Sequence, residues 1–262
     1  MIDTALKELL VNFAKSREPI CVLTGAGISA ESQIPTFRGP EGFWTVGSRE
    51  YHPQEMATFQ MFLQYPDEVW RWYLYRMGIC KTALPNPGHL AVSEMERMFG
   101  GRFTLITQNV DGLHLRSGNS PERTFQIHGN IFHMRCAGEC TRNIYPLPPG
   151  VSPKSKEEPL TEEDRRLLRC PACGHLARPH VLWFDESYDE IHYRYVSSLE
   201  TARKTKLLIT VGTSGATNLP NQVVHEVKRS GGILIDINME ENPFSRAALS
   251  GKNGFFLKGK SG

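Results

Sequence analysis

The chain has 262 residues, enough for one substantial α/β core with a small satellite or for two modest domains, and its 40% apolar and 22% charged content is that of a globular protein. A net charge of +2 offers no bulk field for nucleic acid or a membrane surface. The longest apolar runs, such as 206–211, are strand-sized and far too short to cross a bilayer.

Leu6, Leu9, Leu10 and Phe13 recur at helical spacing, so the chain opens on an amphipathic helix and not on a secretory leader. The apolar run 20–24 then meets Gly25-Ala26-Gly27-Ile28-Ser29-Ala30. A strand entering a Gly-x-Gly turn is the pattern of a dinucleotide-binding loop. Gly25 permits the tight turn, Gly27 lets backbone amides approach a pyrophosphate, and Ala30 allows close helix–strand packing. Two glycines serve equally where two backbones simply pack closely. The acidic residue that ends a second strand about 20 positions on in dinucleotide-binding folds has no strand to end here. The segment from Pro35-Thr36-Phe37-Arg38 to Trp44 reads instead as an ordered loop bearing a cation and aromatics, so a nucleotide site would be of another kind.

Aromatic and aliphatic residues then predict helices over 55–64 and 67–81, which Pro85-Asn86-Pro87-Gly88 breaks. A helix starting at His89 ends at Gly100-Gly101. A buried-type strand, 103–107, precedes Gln108-Asn109-Val110-Asp111-Gly112-Leu113-His114, and a strand over 124–127 runs into His128-Gly129. From Cys136 to Cys173, Pro146, Pro148, Pro149, Pro153 and Pro159 preclude a continued parallel sheet and mark an inserted module with a loop or short helix over 161–168. The pattern resumes with a strand over 181–184, a helix over 189–203 and a strand over 206–211. The loop 212–218, a helix over 221–230 and strands over 232–237 and 254–257 follow. Strands separated by helices predict an α/β, doubly wound parallel sheet.

Cys136-x3-Cys140 and Cys170-x2-Cys173 carry the sharpest chemistry. Four thiolates in two close pairs can close a tetrahedron around zinc, and a site with no open position is structural. His175 stands nearby, and Cys21 reads as core. Metal binding in place of disulfides suits a reducing compartment, the cytoplasm. The segment 108–111 falls where an open α/β sheet has its crevice, and its amides and carboxylate can bind ribose hydroxyls or an amide ligand; polar residues also simply end strands. His128 follows a strand, and a neutral imidazole beside ribose hydroxyls would be a suitable general base. His52, His89, His133, His192 and His225 are assigned to surface or core.

Taken together, Gly25-Ala26-Gly27-Ile28-Ser29 with Pro35-Thr36-Phe37-Arg38, Gln108-Asn109-Val110-Asp111-Gly112-Leu113-His114, His128-Gly129, the four cysteines, Pro179-His180-Val181-Leu182-Trp183-Phe184, Gly212-Thr213-Ser214 and Ile237-Asn238 resemble the sirtuin family, in the same order and over nearly the whole chain. The resemblance implies a Rossmann-like domain (1–52, 84–130 and 176–262), a helical insertion lining an acyl pocket (53–83) and a zinc-binding module (131–175). It implies an NAD-dependent protein lysine deacylase that moves the acyl group to ADP-ribose and releases nicotinamide. Gly25, Ala26, Gly27 and Arg38 would hold the NAD phosphates, and Phe37 would shield the reacting ribose. Asn109 and Asp111 would line the nicotinamide pocket and act with His128 in catalysis, and Gln108 would contact the nicotinamide ribose. Gly212, Thr213, Ser214, Asn238 and Glu240 would serve the adenosine half. In such enzymes the acyl-lysine carbonyl oxygen attacks C1′ as nicotinamide leaves, and His128 would then deprotonate a ribose hydroxyl. An acyl-peptide would add as a strand between 182–186 and 214–218, against Leu182, Trp183 and Phe184. The implied partners are acyl-lysine proteins or peptides, without nucleic acid or membrane, for a monomeric enzyme.

Tyr73-x-x-Arg76 resembles the Tyr-x-x-Arg signature of sirtuins that prefer succinyl, malonyl or glutaryl lysine. Residues three apart share a helix face, and a guanidinium with a phenol can clamp a carboxylate that an acetyl group lacks. The expectation is a desuccinylase or demalonylase with some deacetylase activity. The alternatives are a plain deacetylase, a mono-ADP-ribosyltransferase or NAD hydrolase, and a non-catalytic NAD-responsive scaffold. Three departures from the family pattern are Gln33 and Asp185, each in place of glycine, and the less apolar segment 215–220. If position 33 needs a positive φ, glutamine there costs about 1 kcal/mol or more.

Overall fold

The computed structural model describes residues 3–35, 44–46, 49–251 and 253–262. Asp3 caps the first helix, α1 (Thr4–Lys15), by accepting from the Ala5 amide at 2.7 Å. Then come β1 (Ile20–Thr24), a 3-10 stretch (Ala26–Ser32) and a small antiparallel hairpin, β2 (Trp44–Val46) with β3 (Arg49–Tyr51). The helical insertion is α2 (Pro53–Met56), α3 (Phe59–Gln64) and α4 (Pro66–Thr82), followed by α5 (Pro87–Phe99), β4 (Phe103–Thr107), α6 (Leu113–Arg116) and β5 (Thr124–Gln126). The small module holds β6 (Gly129–Cys136), β7 (Ile144–Pro146), α7 (Glu162–Leu167) and β8 (Ala177–Val181). The chain closes with α8 (Glu190–Tyr193), α9 (Tyr195–Lys204), β9 (Leu207–Val211), α10 (Asn218–Arg229), β10 (Ile233–Asn238), α11 (Pro243–Leu249) and β11 (Phe255–Lys258).

Six parallel strands form the main sheet in the order β11-β10-β9-β1-β4-β5. Both of its faces are covered, and the sequence shows why. In β1, Cys21 and Leu23 join one apolar cluster with Ile106, Leu208 and Leu234, while Ile20 and Val22 join another with Leu105, Ile209 and Ile235. Strands buried on two faces need apolar residues at every position, hence the unbroken apolar runs. From β1 the chain first builds outward through β4 and β5, then crosses back to lay β9 on the other side. The loops leaving β1 and β9 therefore diverge and open a crevice at the carboxyl ends of the strands.

Several sequence expectations need correction. The strand placed at 181–184 is β8, which ends at Val181 and pairs antiparallel with β6 in the separate sheet β7-β6-β8. Pro179 is tolerated because β8 is an edge strand. Past Val181 the chain bends away: the Leu182 amide donates to the His128 carbonyl (3.0 Å) and the Phe184 amide to the Ala57 carbonyl (2.9 Å). The helix expected over 55–64 is two, because α2 ends at Met56 with Ala57 as its C-cap and Thr58 caps α3 by accepting from the Met61 amide. The helix expected over 189–203 breaks at Arg194, which adopts φ 55°. The sheet of the small module begins at Gly129 and runs to Val181, so β6 and β8 extend to either side of the limits 131 and 175. The short helices α6 and α11 carried no clear periodicity and were not anticipated. Gln33 does adopt the left-handed conformation, φ 62°, where the 3-10 stretch ends.

Candidate active site

The crevice is built by glycines of two loops pressed together. A Cβ on Gly27 would lie 2.6 Å from the Gly212 Cα, and one on Gly25 would lie 2.8 Å from the Gly212 carbonyl oxygen. The Gly25 amide donates to Val211 (3.0 Å) and the Gly27 amide to Gly212 (2.8 Å), so these glycines serve the contact between the β1 and β9 loops. The phosphate-facing role expected of both amides narrows accordingly. Among the described residues the Ala26 amide has no backbone acceptor, and Ala26 is exposed at the crevice. Phe37 and Arg38 lie outside the described residues.

Beneath the loop lies a closed polar network. Ser29 Oγ donates to Asp111 Oδ2 (2.7 Å) and accepts from Asn109 Nδ2 (3.0 Å), which also donates to the Gly25 carbonyl (3.1 Å). Asp111 Oδ1 accepts from the Leu113 amide at 2.9 Å. His89 Nδ1 accepts from the Asn86 amide, so its Nε2 carries the proton and faces Ser29 Oγ at 3.3 Å. His114 packs against His89 with ring centroids 4.8 Å apart and planes tilted by 57°, and places its Nε2 3.0 Å from Thr24 Oγ1. Burial holds His114 low, at about 3, with the neighbouring His89 adding to the effect; burial also lowers His89, and Asp111 opposes that. These buried groups support Asn109 and Asp111 from behind. Ser29 and His89 were missed as site residues; the signal was Asn86-Pro87-Gly88-His89, where Asn86 and His89 cap α5 reciprocally while His89 also reaches into the network.

Gln108 bridges the crevice, its Nε2 donating to Thr213 Oγ1 (2.8 Å) and its Oε1 accepting from Thr217 (2.7 Å). Asn238, ending β10, donates to the Thr213 carbonyl at 2.8 Å. Ser214 and Glu240, in the segments that follow β9 and β10, are exposed. Gly212 has φ +60°, and a Cβ there would meet the Ile28 nitrogen at 2.4 Å.

His128 follows β5. The next residue, Gly129, has φ +86°, and a Cβ there would lie 2.1 Å from the His180 carbonyl oxygen, so the turn that presents His128 requires glycine. Burial lowers the imidazole to about 4, partly opposed by a hydrogen bond to the Gln108 backbone carbonyl. His128 is therefore neutral near pH 7 and competent as a base. Its Nε2 is 2.8 Å from the hydroxyl of Tyr188, a residue the sequence did not single out.

On the other side, α4 presents Tyr73 to the segment after β8. Trp183 Nε1 donates to the Tyr73 oxygen at 2.8 Å, in a buried cluster with Trp72, Phe62 and Met134. Val110, between Asn109 and Asp111, packs on this same cluster, which joins α4 to the crevice. The Arg76 guanidinium lies 5.3 Å from the Trp72 ring centroid, and burial lowers its pKa. Leu182 is half-buried and Trp183 buried, whereas Phe184 is 59% exposed. Val69, Trp70 and Leu74 pack inward as expected. Asp185 accepts from the Phe59 (2.7 Å) and Gln60 (3.1 Å) amides at the start of α3, fastening this segment to the helical insertion.

The Sγ atoms of Cys136, Cys140, Cys170 and Cys173 all lie within 4.8 Å of one another. The Cys136–Cys173 and Cys140–Cys170 separations are 3.7 and 3.6 Å. A tetrahedron with zinc–sulfur bonds of about 2.3 Å has edges near 3.8 Å, so the four thiolates fit zinc and leave no open position. No described helix is long and apolar enough to cross a membrane.

The profile of the Sir2 family matches residues 25–218. A Leptospira interrogans protein named NAD-dependent protein deacylase is 38% identical over 264 residues, covering 98% of this chain and 94% of its own length. The Danio rerio protein named NAD-dependent protein deacylase sirtuin-5, mitochondrial, is 39% identical over 253 residues, covering 92% and 79%. A solved Sir2 homolog–NAD complex matches with a TM-score of 0.80 at 35% identity, over 100% of this chain and 90% of the other.

Proposed function

The chain belongs to the Sir2 family, and from that premise we propose that it is an NAD-dependent protein lysine deacylase selecting acyl groups that end in a carboxylate. NAD supplies an electrophilic ribose carbon and nicotinamide as leaving group. The exposed Ala26 amide faces the phosphates, with Arg38 as the sequence-based cation there and Phe37 as the shield over the ribose. Asn109 and Asp111, stiffened by Ser29, His89 and the Gly25 carbonyl, line the nicotinamide end. Gln108 addresses the ribose, and Gly212, Thr213, Ser214, Asn238 and Glu240 the adenosine end. Their mutual hydrogen bonds preorganise the crevice, which lowers the cost of aligning two reactants. Neutral His128 serves as the general base for the ribose hydroxyl. Zinc held by Cys136, Cys140, Cys170 and Cys173 fixes the module that carries β6 and β8, and takes no part in the chemistry.

One observation carries the acyl preference: Tyr73 accepts a hydrogen bond from Trp183, which leaves the phenol proton as the donor it can offer, one turn from Arg76. A cation and a hydroxyl donor on one helix face suit a succinyl, malonyl or glutaryl carboxylate. The named sirtuin-5 relative supports the deacylase reading. Peptides carrying acyl-lysine would lie along Leu182, Trp183 and Phe184. Six cysteines without a disulfide suit the cytoplasm, and the enzyme is read as a monomer. The test is nicotinamide release from NAD with and without succinyl-lysine peptide. A deacylase requires the peptide; release without it points to NAD hydrolysis, and none in either case to a scaffold.

A further inference from the structure

His128 has two ring nitrogens, and the structure accounts for both. The Gln108 backbone carbonyl, which can only accept, engages the ring, while Nε2 lies 2.8 Å from the Tyr188 hydroxyl. This assigns the proton of the neutral ring to Nδ1 and leaves the Nε2 lone pair as acceptor of the Tyr188 O–H. A ring nitrogen has one lone pair. In this arrangement the proton that reaches Nε2 without rearrangement is that of Tyr188. The tyrosine is not poised to swing aside: its ring stacks on Tyr195 (centroids 6.3 Å apart, planes at 21°) and packs against the cluster of Leu23, Ile106 and Leu219. Tyr195 is in turn anchored by donating to Gln222 Oε1 at 3.0 Å. The groups facing the imidazole are thus the Gln108 carbonyl, the Tyr188 hydroxyl and, behind it, the Tyr195 ring.

We propose that Tyr188 is the proton relay through which His128 acts. The inference rests on the deacylase reading. As the ribose O–H bond breaks, its proton forms a new bond to Tyr188 Oη while the original Tyr188 proton passes to Nε2. Tyr188 ends unchanged, His128 ends as imidazolium, and the ribose oxygen keeps the electron pair with which it attacks. The relay serves only the steps after nicotinamide has left.

Tyr188→Phe removes one oxygen and keeps the ring stack. Two measurements test it. In NAD-free protein, the ¹⁵N resonance of His128 Nε2 moves in Tyr188→Phe toward that of an imine nitrogen without a hydrogen-bond donor, while Nδ1 stays protonated. An unmoved resonance overturns the contact. In single-turnover reactions with acyl-peptide and NAD, the variant releases nicotinamide as wild type does but forms deacylated peptide at least tenfold more slowly, and adding Tyr188→Phe to His128→Ala costs nothing further. Deacylation at the wild-type rate overturns the relay, as does equal slowing of both products, which would make Tyr188 a binding residue. Wild-type protein that releases no nicotinamide with acyl-peptide would overturn the deacylase reading itself and this inference with it.

Discussion

The indole Nε1 of Trp183 donates a 2.8 Å hydrogen bond to the phenol oxygen of Tyr73, joining the proposed peptide segment to the helix α4 proposed to line the acyl pocket. Both side chains are buried, Trp183 also lies 3.5 Å from the Arg178 guanidinium carbon, and Arg178 is paired with Glu186. Tyr73 is therefore held in place before any substrate arrives.

Tyr73→Phe separates the two roles of that oxygen. It leaves the Trp183 N–H buried without an acceptor, which costs about 1–3 kcal/mol of stability. It also removes a donor to the acyl carboxylate, so kcat/KM for succinyl-lysine falls while that for acetyl-lysine changes little. Urea unfolding and paired kinetics on two peptides check both parts. An unchanged unfolding midpoint would refute the buried bond, and a parallel fall for both peptides would refute the carboxylate role.

Asp185→Ala should loosen the join between the peptide segment and α3, because Asp185 accepts from the Phe59 and Gln60 amides. Losing a cap of this kind costs about 1 kcal/mol. We expect a lower unfolding midpoint and a raised KM for peptide, with the KM for NAD unchanged. A change confined to the NAD constant would show that Asp185 acts elsewhere.

The main sheet was legible because β1, β4 and β9 lie between two apolar layers, and such strands announce themselves as continuous apolar runs. The four-cysteine cluster was legible because thiolate pairs at close spacing are the pattern of a tetrahedral zinc site. What escaped was tertiary in origin. Position 181 ends a strand only because His128 and Ala57 carbonyls capture the Leu182 and Phe184 amides, and neither contact has a local signal. His89 looked like a helix-cap residue, and it is one; that its other nitrogen meets Ser29 depends on β1 and α5 coming together. Tyr188 is a single tyrosine with no pattern around it. Gln33 was legible as a departure from glycine, but only its φ of 62° shows that the departure strains the backbone.

Stability should decline in acid for a definite reason. Burial holds His128 at about 4 and both His114 and His180 at about 3, below the ordinary 6.5. As pH falls through 6.5 the unfolded chain takes up protons that the folded chain refuses, so unfolding becomes easier from about pH 6.5 down to about 4 for His128 and about 3 for His114 and His180, and these groups contribute little pH dependence well above 6.5. Urea unfolding at pH 7.5, 6.5 and 5.5 should show the midpoint falling over the last interval. A midpoint constant down to pH 5.5 would contradict the buried, neutral assignment.

Selection of carboxylate-bearing acyl groups is proposed to rest on Tyr73 and Arg76. The most direct measurement is kcat/KM for succinyl-lysine and acetyl-lysine forms of one peptide, with NAD, for wild type and Arg76→Met. Wild type should prefer succinyl, and Arg76→Met should lower succinyl turnover at least tenfold, about 1.4 kcal/mol, while acetyl turnover stays within a few-fold. A wild type that prefers acetyl, with Arg76→Met changing neither rate, would make the pair a packing feature and the protein an ordinary deacetylase.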